Sequence, residues 1–297
     1  MLLYVKQNIF ESPAQVIVNA VNTVGVMGKG IAKQYKQLYP EMYKQYRYFC
    51  EQELLEIGKL WLYKDETKWI LSFPTKKHWR APSKIEYIES GLKKFVETYE
   101  EKGIHSISFP QLGTGNGGLD WELEVKPLFE KYLKPLPIPV FVHIVEEKST
   151  FKEHENLAET KKWLQRDPSA LSVNIVWEDL IHTLDKKNWK VNKWNISYEP
   201  ENLKLIINNG DSIEFYKEDL FDLWIKLRDF GYLFAHDFPE NYRTDRSSQK
   251  ILRILTVLPY IEPIQAENEK NKFIGVSIRN IDLPQGDADN QLELLPI

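Results

Sequence analysis

The chain has 297 residues, of which 42% are hydrophobic and 28% charged, with a formal net charge of −4 and one cysteine, Cys50. That length accommodates two folded domains. The charge gives no general attraction for a polyanion, so any nucleic-acid contact must be local, and a lone cysteine excludes an internal disulfide framework or a cysteine-based zinc site.

Taken in order, Leu2–Val5 reads as a first short strand and Ser12–Pro13 as a turn. Val16–Val21 is nearly continuous in apolar residues, the pattern of a strand covered on both faces. Met27, Ile31, Tyr35 and Leu38 carry helical spacing over Met27–Tyr39, ended by Pro40. A second helix is expected over Met42–Leu55, then neighbouring strands at Gly58–Tyr63 and Trp69–Phe73, with Pro74 closing the latter. Ser83 and Glu86 resemble a capping box for a helix running to about Lys102. Strand Ile104–Phe109, a helix from near Trp121 and strand Val140–Val145 complete an alternating α/β pattern, which implies a largely parallel or mixed sheet sandwiched between helices.

Beyond Glu146 the texture changes. Glu146–Glu155 is a polar linker candidate, and helices are expected near Leu157–Gln165 and Trp177–Leu184. Short strands at Ile196–Tyr198, Leu203–Asn208 and Ser212–Phe215 surround a hairpin turn at Asn209–Gly210. Leu220–Phe230 is an amphipathic helix capped by Gly231, Gln249–Leu258 is a further helix candidate, and the tail from Pro284 is turn-rich. The residues after Glu155 carry a mild acidic excess. Arg243, Arg246, His236 and Asp237 lie in a polar segment that reads as a surface loop.

Two glycine-rich stretches carry the chemistry. In VIVNAVNTVGVMGKGIAKQYK a strand leads through Gly25, Gly28 and Gly30 into a helix, and QLGTGNGGL (Gln111–Leu119) again follows a strand. Strand–loop–helix units present backbone N–H groups and a helix N-terminus to phosphate. Two of them imply a cleft that grips a phosphate-rich ligand from both sides. VNAVNTVGVMGKGIAKQYK and FPQLGTGNGGLDW, with the intervening FPTKKHWR, resemble the macrodomain family, and within it the branch of DarG-type antitoxins and terminal ADP-ribose glycohydrolases. The resemblance covers about residues 1–145.

The resemblance implies an ADP-ribose site formed by Asn8, Ile9, Val21, Asn22, Gly28, Lys29, Gly30, Ile31, Gly113, Thr114, Gly115, Asn116 and Gly117, with Asn22 facing the distal ribose. An Asn offers a sugar diol both donor and acceptor. The Lys29 side chain reads equally as a ligand contact or a solvated charge. Asn8 stands where macrodomains usually carry an aspartate that meets the adenine amino group; its carbonyl can still accept that bond. Lys76, the lysine after Thr75, is implied as the catalytic residue that attacks or polarises the anomeric carbon, and its choice over Lys77 rests on the family spacing. An amine attacks only when unprotonated, a state favoured by burial or by cations such as Lys77 and Arg80. His78, Trp79 and Arg80 read either as a nucleic-acid contact or as a lid packed by Trp79. Gly117 occupies the place where some relatives carry an assisting aspartate, and Asp120 is expected to cap the next helix. Cys50 reads as a buried small hydrophobe.

The expected architecture is an N-terminal α/β macrodomain over 1–148 and a smaller α+β domain over 156–297. The expected activity is removal of ADP-ribose from modified DNA bases, antitoxin-like against a DarT-type ADP-ribosyltransferase that the C-terminal domain would bind. Alternatives are an ADP-ribose- or nucleotide-binding module with a C-terminal effector, or a hydrolase of protein-linked ADP-ribose or ADP-ribose 1″-phosphate. No metal or other cofactor is called for. MLLYVKQNIF lacks the basic and long apolar parts of a secretory signal, and no apolar run approaches the roughly 20 residues that cross a bilayer, so a cytoplasmic location without a membrane partner is expected.

Overall fold

The computed structural model describes residues 1–145, 164–191, 193–209, 211–243, 246–267 and 272–279. The chain divides into two compact units, Met1–Lys161 and Lys162–Ile297. The linker expected over Glu146–Glu155, most of the helix expected near Leu157–Gln165, Gly210 and the tail from Pro284 lie outside the described residues.

In the first unit the strands are β1 (Leu2–Val5), β2 (Val16–Asn22), β3 (Trp61–Lys64), β4 (Trp69–Lys76), β5 (Ile107–Pro110) and β6 (Val140–His143). They form one mixed sheet in the order β1-β6-β5-β2-β4-β3, parallel except for the antiparallel edge strand β3. Among its described residues the α-helices are α1 (Gly30–Leu38), α2 (Pro40–Glu51), α3 (Ile85–Thr98) and α4 (Lys126–Leu133). The near-continuous apolar run of β2 is explained by burial on both faces. Val16 and Val18 join the cluster of Phe73, Ile88, Phe95, Phe109 and Phe129 that lies against α3 and α4. On alternate positions Ile17 is equally buried and the Asn19 amide reaches the Met27 sulfur at 3.7 Å. Phe95, Phe109 and Phe129 meet edge to face at ring separations of 5.5 and 5.4 Å, and each such buried ring contributes about 2 kcal/mol by area.

Three local departures from the expected elements bear on function. First, β4 does not stop at Pro74 but continues to Lys76. Val21 pairs with Pro74 and Asn22 with Lys76, so Thr75 is the extra residue of a bulge. A bulge tolerates a residue without an N–H, and the Thr75 hydroxyl donates to Val21 O at 3.4 Å in that gap. Second, α1 starts at Gly30 rather than Met27, leaving Thr23–Lys29 as a loop over the end of β2. Third, the capping box at Ser83 and Glu86 is not formed: α3 begins at Ile85 after Lys84, which caps it with no side-chain bond. By contrast the Asp120 cap forms as expected. Its Oδ1 accepts from Leu123 N at 2.8 Å, and Glu124 Oε2 accepts from Asp120 N at 2.7 Å, at the head of the wide turn Trp121–Val125.

The second unit is α+β. A four-stranded antiparallel sheet contains Trp194–Glu199, Lys204–Asn209 and Asp211–Tyr216, with Lys190–Val191 at one edge. Helix Val173–Lys186 precedes it, and helix Lys217–Phe230 ends at Gly231 with φ +81°. A second, three-stranded sheet (Tyr232–Phe234, Ile261–Glu267 and Lys272–Ile278) has no counterpart in the sequence-based expectation. Its first strand is only three residues long, and Pro263 interrupts the pattern of another, tolerated because that strand lies at an edge. Helix Ser247–Leu255 buries Ile251, Leu252, Ile254 and Leu255. Among the described residues no helix is long and apolar enough to cross a membrane.

Candidate functional site

The C-terminal ends of β2, β4 and β5 lie side by side, and the two glycine loops spring from the first and third of them. In open α/β sheets this end is where ligands bind. On the side of β2 away from β5, the β4 bulge delivers Lys76, which is 7% exposed and pairs in register with Asn22. Lys76 Nζ donates to the main-chain carbonyl of Asn116, in the middle of the second loop, at 2.7 Å. Lys77 is exposed and Lys76 buried, so the two neighbouring amines occupy opposite environments.

The first loop is held by side chains beneath it. Asn22 Nδ2 donates to Val26 O at 2.7 Å, while Asn22 Oδ1 accepts from Val24 N, Val26 N and the Tyr46 hydroxyl at 3.1 to 3.2 Å. Tyr46 also reaches Asn22 O at 2.7 Å, and Tyr43 reaches Gly25 O at 3.3 Å, both from α2. The Asn22 amide is therefore committed to shaping the loop that ends at Lys29. Burial pushes the Tyr46 hydroxyl well above its ordinary pKa and the Cys50 thiol up to about 12, so both are uncharged donors at neutral pH. Cys50 is 1% exposed, the small buried hydrophobe expected.

The loop's exit places Gly28 in a buried position, Lys29 half-buried and Gly30 exposed at the first turn of α1, with Ile31 behind it. Gly30 has φ +58°, and a Cβ there would stand 3.3 Å from Asn116 Nδ2, so the tips of the two loops meet at this glycine. The N-terminus of α1 brings backbone N–H groups and a positive dipole end to the same place.

The second loop is held by its own main chain. Leu119 N donates to Gly113 O at 3.0 Å and Gly118 N to Gly115 O at 3.2 Å. The Thr114 hydroxyl donates to Gln111 O at 3.0 Å, and Gly115 is exposed at the tip. Gly117 is closely packed: a Cβ there would fall far inside contact distance of Gly113 O and the Ser83 hydroxyl. The position where some relatives carry an assisting aspartate thus has no room for any side chain.

A third wall follows β1. Ile9 and Val21 are buried, and Asn8 caps the short turn Ile9–Glu11 by accepting from Phe10 N at 3.2 Å. Behind it runs a buried chain of hydrogen bonds. His143 Nδ1 meets Gln7 O at 2.8 Å, His143 Nε2 meets Ser108 Oγ at 3.2 Å, Ser108 and Ser12 hydroxyls are 2.6 Å apart, and Ala14 N donates to Ser12 Oγ at 3.1 Å. A carbonyl only accepts, so Nδ1 carries the proton and the chain is satisfied with neutral imidazole. Burial lowers the His143 pKa, opposed by the bond to Gln7.

Segment Lys77–Lys84 joins β4 to α3. Thr23 Oγ1 donates to Lys77 O at 2.7 Å, tying it to the first loop. Trp79 is 4% exposed, buried rather than presented for stacking, while Arg80 Nε donates to His78 Nδ1 at 3.3 Å. Thus the structure brings Asn22, Gly30, Lys76 and Asn116 together and sets Asn8 and Ile9 on a separate wall. Sequence reasoning passed over Tyr46 and Thr23 as supports, because side-chain bonds to distant loop backbone leave no periodic signal. Among the described residues no group of three His, Cys, Asp or Glu side chains is placed to hold a metal.

Residues 18–126 match the Macro domain family. The chain is 46% identical over 140 residues to a DNA ADP-ribosyl glycohydrolase of Thermus aquaticus, an alignment covering 46% of this chain and 39% of that protein. It is 47% identical over 126 residues to the protein of the same name from Mycobacterium tuberculosis, covering 41% and 36%. It is 41% identical over 166 residues to a DNA ADP-ribosyl transferase–DNA ADP-ribosyl glycohydrolase fusion protein of Thermosipho africanus, covering 50% and 42%. Among solved structures, the macrodomain of Thermus aquaticus DarG aligns at 44% identity with a TM-score of 0.47, covering 49% of this chain and 99% of that one. The chain spans about two fifths of the length of the curated relatives it matches. The similarity falls on the unit that carries both glycine loops and Lys76, and that N-terminal half of the chain is a macrodomain.

Proposed function

We propose that the macrodomain unit is a DNA ADP-ribosyl glycohydrolase, with Lys76 as its catalytic residue. The observation that carries this reading is the buried Lys76, set by a strand bulge next to β2. Its amine reaches Asn116 O in the second glycine loop, the loop that meets the first residue of α1. The loop backbones and the α1 N-terminus suit a diphosphate, with Gly28, Lys29, Gly30 and Ile31 on one side and Gly113, Thr114, Gly115, Asn116 and Gly117 on the other. Asn8, Ile9 and Val21 suit the adenosine end, and Asn22, its amide bonded into the first loop, serves the distal ribose by shaping that loop. A neutral Lys76 amine forms a bond to the anomeric carbon as the bond from that carbon to the base nitrogen breaks. The base leaves with the bonding pair and takes up a proton from solvent. Water then releases free ADP-ribose and regenerates the amine. Names of relatives support the DNA linkage, and the transferase fusion of Thermosipho africanus supports an antitoxin role opposite an ADP-ribosyltransferase toxin. The second unit is the candidate surface for that partner.

The test is release of ADP-ribose from ADP-ribosylated single-stranded DNA, with ADP-ribose affinity followed by calorimetry. Lys76→Ala is expected to lose turnover by about a thousandfold or more while affinity stays within about threefold. A wild type that binds ADP-ribose and releases none from DNA would reject the substrate and leave a binding module.

A further inference from the structure

Two consecutive carbonyls of the second loop are taken by the two ends of one short segment. Lys76 Nζ donates to Asn116 O at 2.7 Å, and Ser83 N donates to Gly117 O at 2.9 Å. Six residues, Lys77–Pro82, join these ends, with Lys77 O anchored to Thr23. Ser83 also fills the hollow between the two glycines of that loop. Its Cβ lies 3.1 Å from where a Cβ of Gly113 would stand, and its hydroxyl lies closer still to where a Cβ of Gly117 would stand. That hydroxyl is buried in a residue 5% exposed and has no hydrogen-bond partner among the described residues. Helix capping does not account for it, since α3 is capped one residue later without a side-chain bond. A buried hydroxyl left unpaired is unfavourable for folding, which asks for a reason at this position.

We propose that Ser83 is the positioning residue for Lys76, acting through the Asn116–Gly117 peptide. Ser83 N–H holds Gly117 O, in the following peptide, and its side chain takes the place of a Gly117 Cβ. Gly117 is thus pinned on both counts, and the Asn116–Gly117 peptide that shares its Cα keeps its plane. The plane in turn fixes the direction of Asn116 O, the acceptor that holds Lys76 Nζ. Ser83 is one of the neighbours that leave no room for a side chain at 113 and 117, beside Leu119 at the first and Gly113 O at the second. This role rests on the reading of Lys76 as the group that meets the anomeric carbon.

Ser83→Ala in the full chain separates positioning from stability. It removes an unpaired hydroxyl, so the denaturation midpoint is expected to stay level or rise. Released from its contact, the peptide plane shifts, and kcat on ADP-ribosylated single-stranded DNA is expected to fall about tenfold with KM within about twofold. Phe129→Leu, a core change in the same unit, is expected to lower the midpoint and leave kcat in place. A second readout needs no substrate: in protein labelled with 13Cε-lysine, the signal absent from Lys76→Ala identifies Lys76, and Ser83→Ala is expected to move it. Wild-type kcat together with an unmoved Lys76 signal would overturn the proposal. Should the wild type not cleave this DNA, the glycohydrolase reading fails, and the Lys76 signal alone decides the role of Ser83.

Discussion

The two glycine loops look alike in sequence and are built by opposite means. The first is clamped from below by side chains, with the Asn22 amide making four hydrogen bonds and Tyr46 and Tyr43 reaching up from α2. The second closes on its own main chain and on Ser83. A loop clamped by side chains ties its shape to the stability of the core beneath it. A loop clamped by its own backbone ties its shape to the absence of side chains. Damage to the first should therefore read out chiefly as stability, and damage to the second chiefly as turnover.

Within the two loops themselves, the largest effect on turnover is expected from placing a carboxylate in the second. Gly117→Asp supplies the acid that some relatives carry, but the side chain has no room beside Gly113 O and Ser83. Turnover on ADP-ribosylated DNA is expected to drop about a hundredfold, as for a displacement of reacting groups by about 1 Å. A gain in rate would show that the loop reshapes at little cost and would erase the contrast. Next comes Asn22→Ala, which strands Val24 N, Val26 N and Val26 O. Chemical denaturation followed by fluorescence is expected to show the N-terminal unit weaker by about 3 kcal/mol; an unchanged midpoint would remove the side-chain clamp from the argument.

The smallest effect concerns the wall behind Asn8, which shares the side-chain logic of the first loop. His143 is held neutral, with its pKa below the ordinary 6.5 chiefly because of burial. Its unfolded form takes up a proton more readily, so this contribution to stability is complete above pH 6.5 and is lost as the pH falls toward the folded value. The denaturation midpoint should decline on acidification through that window, and His143→Gln should flatten this part of the decline. An identical profile in both proteins would assign the acid sensitivity elsewhere.

Much of this was legible in the residues. The doubly buried run of β2, the alternation of strands and helices in the first unit, and the Asp120 cap follow from local pattern. What escaped did so for definite reasons. Pro74 signals a strand end, yet a bulge absorbs it, so the strand that carries Lys76 is three residues longer than expected. Ser83 has the spacing of a capping box with Glu86, yet a long-range contact with Gly117 claims it. Asn22 is a site residue by resemblance, and only the fold shows its amide spent on loop shape. In the second unit the three-stranded sheet stayed hidden because two of its members are short or carry Pro263. Motifs report which residues gather at a site; the division of labour among them depends on contacts between residues far apart in the chain.

The bulge at Thr75 has a practical corollary for anyone who would transplant this chemistry. Pro74 brings no N–H to the strand, the Thr75 hydroxyl supplies a donor to Val21 O, and only then does Lys76 arrive opposite Asn22. A lysine grafted alone onto the end of a regular strand would inherit neither the bend nor the repaired carbonyl. The smallest portable unit is the Phe73–Lys76 ending together with the β2 edge that it leans on.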